Sequence, residues 1–217
     1  MAVAFAQDAS LNTRVKICGI TRVEDALCAA SHGADAIGLV FYAKSPRHVS
    51  TERAQAIVRA LPPFVSVVGL FVNAAAEQVS QVLAQIRIDL LQFHGNEQPD
   101  YCRSFGHGYL KAARVRPGMD LLQYAIGYQD ASGLLLDTFV EGAHGGTGQV
   151  FDWSLIPEQL ALPIVVSGGL NAANVGRVIA QINPWGVDVS SGVESSPGIK
   201  DAGKIASFIK SVRHGNV

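Results

Sequence analysis

The chain has 217 residues, 48% of them hydrophobic and 16% charged, with a formal net charge of −1. That balance suits a globular protein with a sizeable buried core and excludes a disordered chain, while the near-zero charge gives no footing for nucleic acid or an anionic membrane surface. Three cysteines without close pairing make a disulfide framework an unlikely use of the thiols and point to a reducing, cytoplasmic setting.

In chain order, residues 1–13, beginning MAVAFAQDASLN, carry neither a basic start nor a long apolar segment. They read as a short extension instead of a signal peptide, with one domain over residues 14–217. Eight short apolar runs follow: VKICGI from Val15, AIGLVF from Ala36, VSVVGLFV from Val65, LLQFH from Leu90, YLKAARV from Tyr109, GLLLDT from Gly133, PIVVSG from Pro163 and GVDVSSG from Gly186. Each is apolar along most of its length, as strands of a parallel sheet covered on both faces should be. None is long enough to cross a membrane as a helix. Amphipathic stretches alternate with them, at 23–32, 51–60, 75–86, 98–105, 119–125, 153–160, 171–180 and 201–213. The third is the clearest, with Val79, Val82, Leu83 and Ile86 on one face. Thr21, Ser50 and Asn73 stand where helix N-caps are expected.

Eight strand–helix units of roughly 25 residues predict an α/β fold of the single (β/α)₈ TIM-barrel type. A doubly wound open sheet has the same alternation, but eight units without a domain linker favour the barrel. In a barrel, function sits at the C-terminal strand ends and the loops beyond them. Those positions hold Cys18, Arg47 in KSPRHV, Asn73, Gln92 and His94, Arg114 and Arg116, Asp137, SGGL, and DVSSGVE. Gly168 and Gly169 let backbone N–H groups approach an anion, and loops seven and eight are the usual phosphate site of this fold. The simpler alternative is a tight turn.

Asp137 closes a run of three leucines, where partial burial suits a general acid; it could equally satisfy backbone N–H groups of the next loop. Cysteines in apolar runs are usually inert packing, but Cys18 and Asp137 stand three strands apart around a barrel and could flank a ligand. Arg47 could pair with a carboxylate or lie solvated at the surface. The loop from Thr138 to Trp153, with Gly142, Gly145, Gly146 and Gly148, reads as a lid, a wall of the phosphate site or surface slack. Cys28 and Cys102 read as packing residues. No histidine pair has metal-ligand spacing and no GxGxxG or Walker loop occurs, so neither metal nor nucleotide cofactor is expected.

KICGIT, GLVFYAKSPRHV, GLFVN, LQFHG, LLLDT, GGTGQVFDW, SGGLNAANV and DVSSGVESSPGIKD resemble, in order and spacing, the phosphoribosylanthranilate isomerase family of tryptophan biosynthesis, from about Val15 to Lys210. The resemblance implies a cofactor-free barrel enzyme that converts N-(5′-phosphoribosyl)anthranilate to 1-(2-carboxyphenylamino)-1-deoxyribulose 5-phosphate. It carries the general base to Cys18, the general acid to Asp137, and the anthranilate-contacting arginine to Arg47. The phosphate loops fall on Gly146, Thr147 and Gly148, on Gly168 and Gly169, and on Ser190, Ser191 and Gly192. Gln92, His94 and Asp188 are taken as further substrate contacts. For the base to work near neutral pH, the site should favour the Cys18 thiolate. The implied partner is a small phosphoribosyl substrate, with no nucleic acid or membrane, for a monomer or homodimer. The rivals are another phosphosugar barrel such as an indole-glycerol-phosphate synthase or a histidine-pathway isomerase, or a non-catalytic phosphosugar-binding barrel. A rival enzyme should have a lysine or a second aspartate where this chain has Cys18.

Overall fold

The computed structural model describes residues 12–116, 118–137, 156–157 and 160–214. Eight parallel strands close into one barrel in sequence order: β1 (Arg14–Cys18), β2 (Ala36–Val40), β3 (Ser66–Phe71), β4 (Leu90–Phe93), β5 (Tyr109–Arg114), β6 (Gly133–Asp137), β7 (Ile164–Ser167) and β8 (Gly186–Val189). The described helices are α1 (Val23–Ser31), α2 (Thr51–Ala60), α3 (Ala76–Gln85), α4 (Pro99–Arg103), α5 (Leu121–Gly127), α6 (Val175–Ile182) and α7 (Ala202–His214). All eight expected strands are present and the closed barrel displaces the open-sheet alternative. Most of the expected helix at 153–160, and the glycine-rich loop before it, lie outside the described residues.

Alternation along the strands divides the side chains between two environments. Val15, Ile17, Ile37, Leu39, Leu91, Phe93, Leu134 and Leu136 point outward and form the main core under the helices. The opposite faces fill the barrel with two small apolar groups, Leu110, Ala112, Leu135 and Val165 in one, and Cys18, Val40 and Leu70 in the other. Between β1 and β8, where the barrel closes, Lys16 is in register with Asp188. Their side chains meet at 2.8 Å, and each is about 5% exposed. Helix α3 buries Val79 and Val82 and packs Leu83 against the core, as its periodicity predicts.

Local signals were less reliable than periodicity at helix ends. Ser50 caps α2 by accepting from the Arg53 N–H, but Thr21 and Asn73 cap nothing. The Thr21 hydroxyl donates instead to the Gly198 carbonyl. Asn73 adopts a left-handed conformation, and its side-chain oxygen accepts from the Asn96 N–H. Helix α5 starts later than expected because Asp120 caps it, accepting from the Gln123 N–H at 2.9 Å. In α6, Asn171 and Asn174 use their side chains to shape a turn before the helix, which delays its start to Val175. After β8 the chain forms a 3₁₀ turn at Ser191–Val193 and a small hairpin of β9 (Glu194–Ser196) and β10 (Ile199–Lys200), an element without a periodic signature.

Gly38 on β2 is in register with Cys18. A Cβ there would lie 2.7 Å from Cys18 Sγ and 3.1 Å from its Cα, and 3.2 Å from the Lys16 chain. Only glycine leaves room for these two side chains. Gly38→Ala is therefore expected to cost about 1–3 kcal/mol, as overpacked cores do. Urea unfolding checks this, and an unchanged midpoint would contradict it.

Candidate active site

The C-terminal strand ends surround a cavity of about 500 Å³. Its lining includes Cys18, Arg47, Gln92, His94, Asp137 and Asp188, together with Gly168, Gly169, Ser190 and Ser191 of loops seven and eight. Ten of the expected site residues thus share one hollow. Gly192 does not line it: the Cβ of any other residue would sit 1.9 Å from the Leu170 carbonyl, so this glycine lets the two loops pack backbone against backbone. Gly146, Thr147 and Gly148 lie outside the described residues.

Cys18 ends β1, 5% exposed, against Val40 and Leu70 on one side and the cavity on the other. The expectation of a ready thiolate needs correcting. Burial pushes the Cys18 thiol above its ordinary pKa, and the nearby Asp188 carboxylate adds to this; Lys16 and Lys200 offset only part of it. Burial works against the Lys16 charge, but the Asp188 carboxylate beside it favours the ammonium, and its pKa is raised. Asp188 accepts from Lys16 at 2.8 Å and from the Ser167 hydroxyl at 3.3 Å, so both of its oxygens are engaged by protein.

Across the mouth, His94 Nε2 lies 3.1 Å from Asp137 Oδ2, and His94 Nδ1 lies 2.9 Å from Gln92 Nε2. With the Gln92 amide donating to Nδ1, the imidazole carries its proton on Nε2 and donates to Asp137. Gln92 is fully buried, and its Oε1 is the one buried side-chain polar atom without a partner among the described residues.

Arg47 is held side-on by Glu194, Nε to Oε1 at 2.8 Å and Nη2 to Oε2 at 2.7 Å. That grip leaves the Nη1 donors unengaged by Glu194. Burial works against the Glu194 carboxylate, but Arg47 and Lys200 outweigh it and hold its pKa below the usual range. Burial lowers the pKa of Lys200, against the pull of Glu194, and its ammonium reaches Glu194 at 2.9 Å and the Ser190 carbonyl at 3.2 Å. Sequence reasoning singles out Glu194 only as the end of DVSSGVE, and Lys16 and Lys200 not at all, although all three hold residues that line the cavity. Lys16 had a signal, since a lysine two residues before an inward-facing cysteine must also face inward. The partnership of Arg47 with Glu194 spans 147 residues and had none. Among the described residues no cluster of histidine, cysteine or carboxylate side chains could hold a metal ion, and no helix is long and apolar enough to cross a membrane.

Residues 15–211 match the family model described as N-(5′-phosphoribosyl)anthranilate (PRA) isomerase. The chain belongs to that family. An N-(5′-phosphoribosyl)anthranilate isomerase of Pseudomonas aeruginosa is 58% identical over 200 residues, covering 92% of this chain and 95% of that one. The crystal structure of the phosphoribosyl anthranilate isomerase of Thermotoga maritima superposes with a TM-score of 0.86 at 44% identity, covering 93% of this chain and 99% of that one. A phosphoribosyl anthranilate isomerase solved in complex with reduced 1-(o-carboxyphenylamino)-1-deoxyribulose 5-phosphate gives 0.83 at 43% identity, with the same coverage.

The raised thiol makes a prediction for the three free cysteines. Iodoacetamide at neutral pH should label the partly exposed Cys28 first. Cys18 should resist, as should Cys102, whose thiol burial pushes up to about 12. Peptide mapping by mass spectrometry reads the order, and labelling of Cys18 ahead of Cys28 would contradict this account of its burial.

Proposed function

We propose that this chain is a phosphoribosylanthranilate isomerase in which Asp137 is the general acid and Cys18 the general base. The observation that carries the reading is that Cys18, Asp137, Arg47 and the Gly168–Gly169 and Ser190–Ser191 loops line one cavity. It has a group for each part of a substrate with a carboxylate at one end and a phosphate at the other.

In this reading Asp137 protonates the furanose ring oxygen of N-(5′-phosphoribosyl)anthranilate. The C1′–O bond breaks, the anthranilate nitrogen supplies the electron pair, and a cationic imine forms. The cation acidifies the C2′ proton and brings positive charge toward Cys18, which favours loss of the thiol proton to solvent against the burial that raises its pKa. Cys18 removes the C2′ proton, leaving an enolamine. Its tautomerisation moves the hydroxyl proton to C1′ and yields the ketone, 1-(2-carboxyphenylamino)-1-deoxyribulose 5-phosphate. Removal of the C2′ proton restores the Cys18 thiol, and the proton it first released returns through solvent to Asp137, so no net proton is consumed and neither metal nor redox cofactor is called for.

The Nη1 donors of Arg47 take the anthranilate carboxylate, while Glu194 fixes the plane of the guanidinium. The backbone of Gly168 and Gly169, both at positive φ, and the Ser190–Ser191 turn receive the phosphate. Together they hold the two ends of the substrate and spend remote binding energy on orientation. Lys16 is no free amine of the kind a Schiff-base enzyme needs, because Asp188 holds it. The three unpaired thiols support a cytoplasmic setting. A homodimer is supported by Phe64, fully exposed, and Trp185, which flank a second cavity of about 480 Å³ at the opposite end of the barrel, an apolar surface a second copy would cover.

Cys18→Ser and Asp137→Asn should each lower kcat by about 10²–10⁴-fold while leaving the far-ultraviolet circular dichroism unchanged. The assay generates phosphoribosylanthranilate in situ and follows the loss of its anthranilate fluorescence. Near-normal turnover in a folded variant would remove that residue from its role, and a wild-type rate no faster than the uncatalysed reaction would sink the assignment.

A further inference from the structure

Beside the cavity, beneath the loop that follows β4, lies a second buried ion pair that the reaction above does not use. Lys111 points outward from β5, and its Nζ lies 3.1 Å from Glu97 Oε2; the two side chains are 1% and 2% exposed. Removing two charges from water costs several kcal/mol per ion, and an apolar pair of similar volume often serves stability as well or better. Here nearly every polar atom of the pair is spent on one short stretch of backbone. Lys111 donates to the Phe93 carbonyl at 3.2 Å and to the Gly95 carbonyl at 2.7 Å. Glu97 accepts from the Gly95 N–H at 2.9 Å and, from the neighbouring loop, the Asn73 N–H at 2.7 Å. The Glu97 carbonyl is in turn held by the Tyr128 hydroxyl at 2.8 Å.

The residue between Phe93 and Gly95 is His94. Its own N–H donates to the Phe71 carbonyl at 2.9 Å, so its backbone is fixed from both sides and from the adjacent strand. Its imidazole is what this stretch delivers to the cavity, between Gln92 and Asp137. We propose that the Glu97–Lys111 pair is a positioning device that holds the His94 imidazole against Asp137 and thereby sets the orientation of the acid. The proposal rests on the reading of Asp137 as the acid. Glu97 and Lys111 touch no part of the site themselves and act through His94. An apolar pair could fill their volume, but it could not grip two carbonyls and an N–H on either side of one residue.

The test uses a double variant, Glu97→Leu with Lys111→Met, which removes both charges together and leaves neither buried alone, and Glu97→Gln, which keeps the size and most hydrogen-bonding capacity. Long-range ¹H–¹⁵N spectra report the tautomer and hydrogen bonding of His94, with its signals assigned by His94→Asn. The double variant should shift or broaden the His94 imidazole signals and lower kcat about tenfold or more, since small displacements of reacting groups cost that much. KM should stay within about threefold, because Arg47 and the phosphate loops lie on other strands. Glu97→Gln should fall between the double variant and wild type in both readouts. Unmoved His94 signals in either folded variant would overturn the proposal, as would a loss confined to KM. Should the double variant fail to fold, Glu97→Gln decides alone. A wild-type protein inactive on phosphoribosylanthranilate would instead overturn the functional reading, and the spectra would still test the positioning of His94.

Discussion

The site is built on a salt bridge inside the barrel. Lys16 on β1 and Asp188 on β8 meet at 2.8 Å at the seam where the sheet closes, both almost fully buried. Such a pair is costly to bury, and removing one partner alone typically costs about 3–5 kcal/mol. It therefore ties the first strand to the last and fixes their register. Asp188 of this pair also lines the cavity. Cys18 stands two residues above Lys16 on the same face of β1, and Gly38 on the neighbouring strand leaves both side chains their room. The charge balance beneath Cys18 is thus set by the element that closes the fold.

The mouth of the cavity is held by two further buried ion pairs, both lysine–glutamate, on different sides. Lys200 and Glu194 brace the Ser190 turn and Arg47. Lys111 and Glu97 brace the stretch around His94. Each supports a loop that carries a polar side chain or backbone N–H groups into the cavity. Loops placed by hydrogen bonds of fixed length can hold a substrate more precisely than loops placed by apolar contact, and a reaction that needs an acid and a base on separate strands depends on that precision.

The barrel was legible because it is written in repeated, short-range patterns. Eight apolar runs of strand length, separated by amphipathic stretches, are enough to specify eight parallel strands, and all eight appear, seven within two residues of their expected bounds and β8 ending three residues early, at Val189. Polar residues at the ends of those runs mark much of the cavity wall, Cys18, Gln92, His94, Asp137 and Asp188 among them, but Asn73, Arg114 and Arg116 stand at strand ends without lining it. What was not legible is who partners whom. Thr21 and Asn73 look like caps by type, yet each is drawn to a tertiary partner in another loop. Asp188 marks the cavity wall, but its pairing with Lys16 and Ser167 has no signal in the spacing. The state of the Cys18 thiol depends on burial and on charges from two strands and a hairpin, none of which sequence spacing encodes.

The central claim is that two groups on opposite sides of the cavity act in order, Asp137 opening the ring and Cys18 then taking the C2′ proton. Single-turnover rates with substrate deuterated at C2′ separate the two steps most directly. The account predicts a primary isotope effect in Cys18→Ser, where removal of the C2′ proton has become the slow step. It predicts little or none in Asp137→Asn, where the preceding ring opening limits the rate. The reverse pattern, with the isotope effect in Asp137→Asn and not in Cys18→Ser, would contradict the assignment of acid and base.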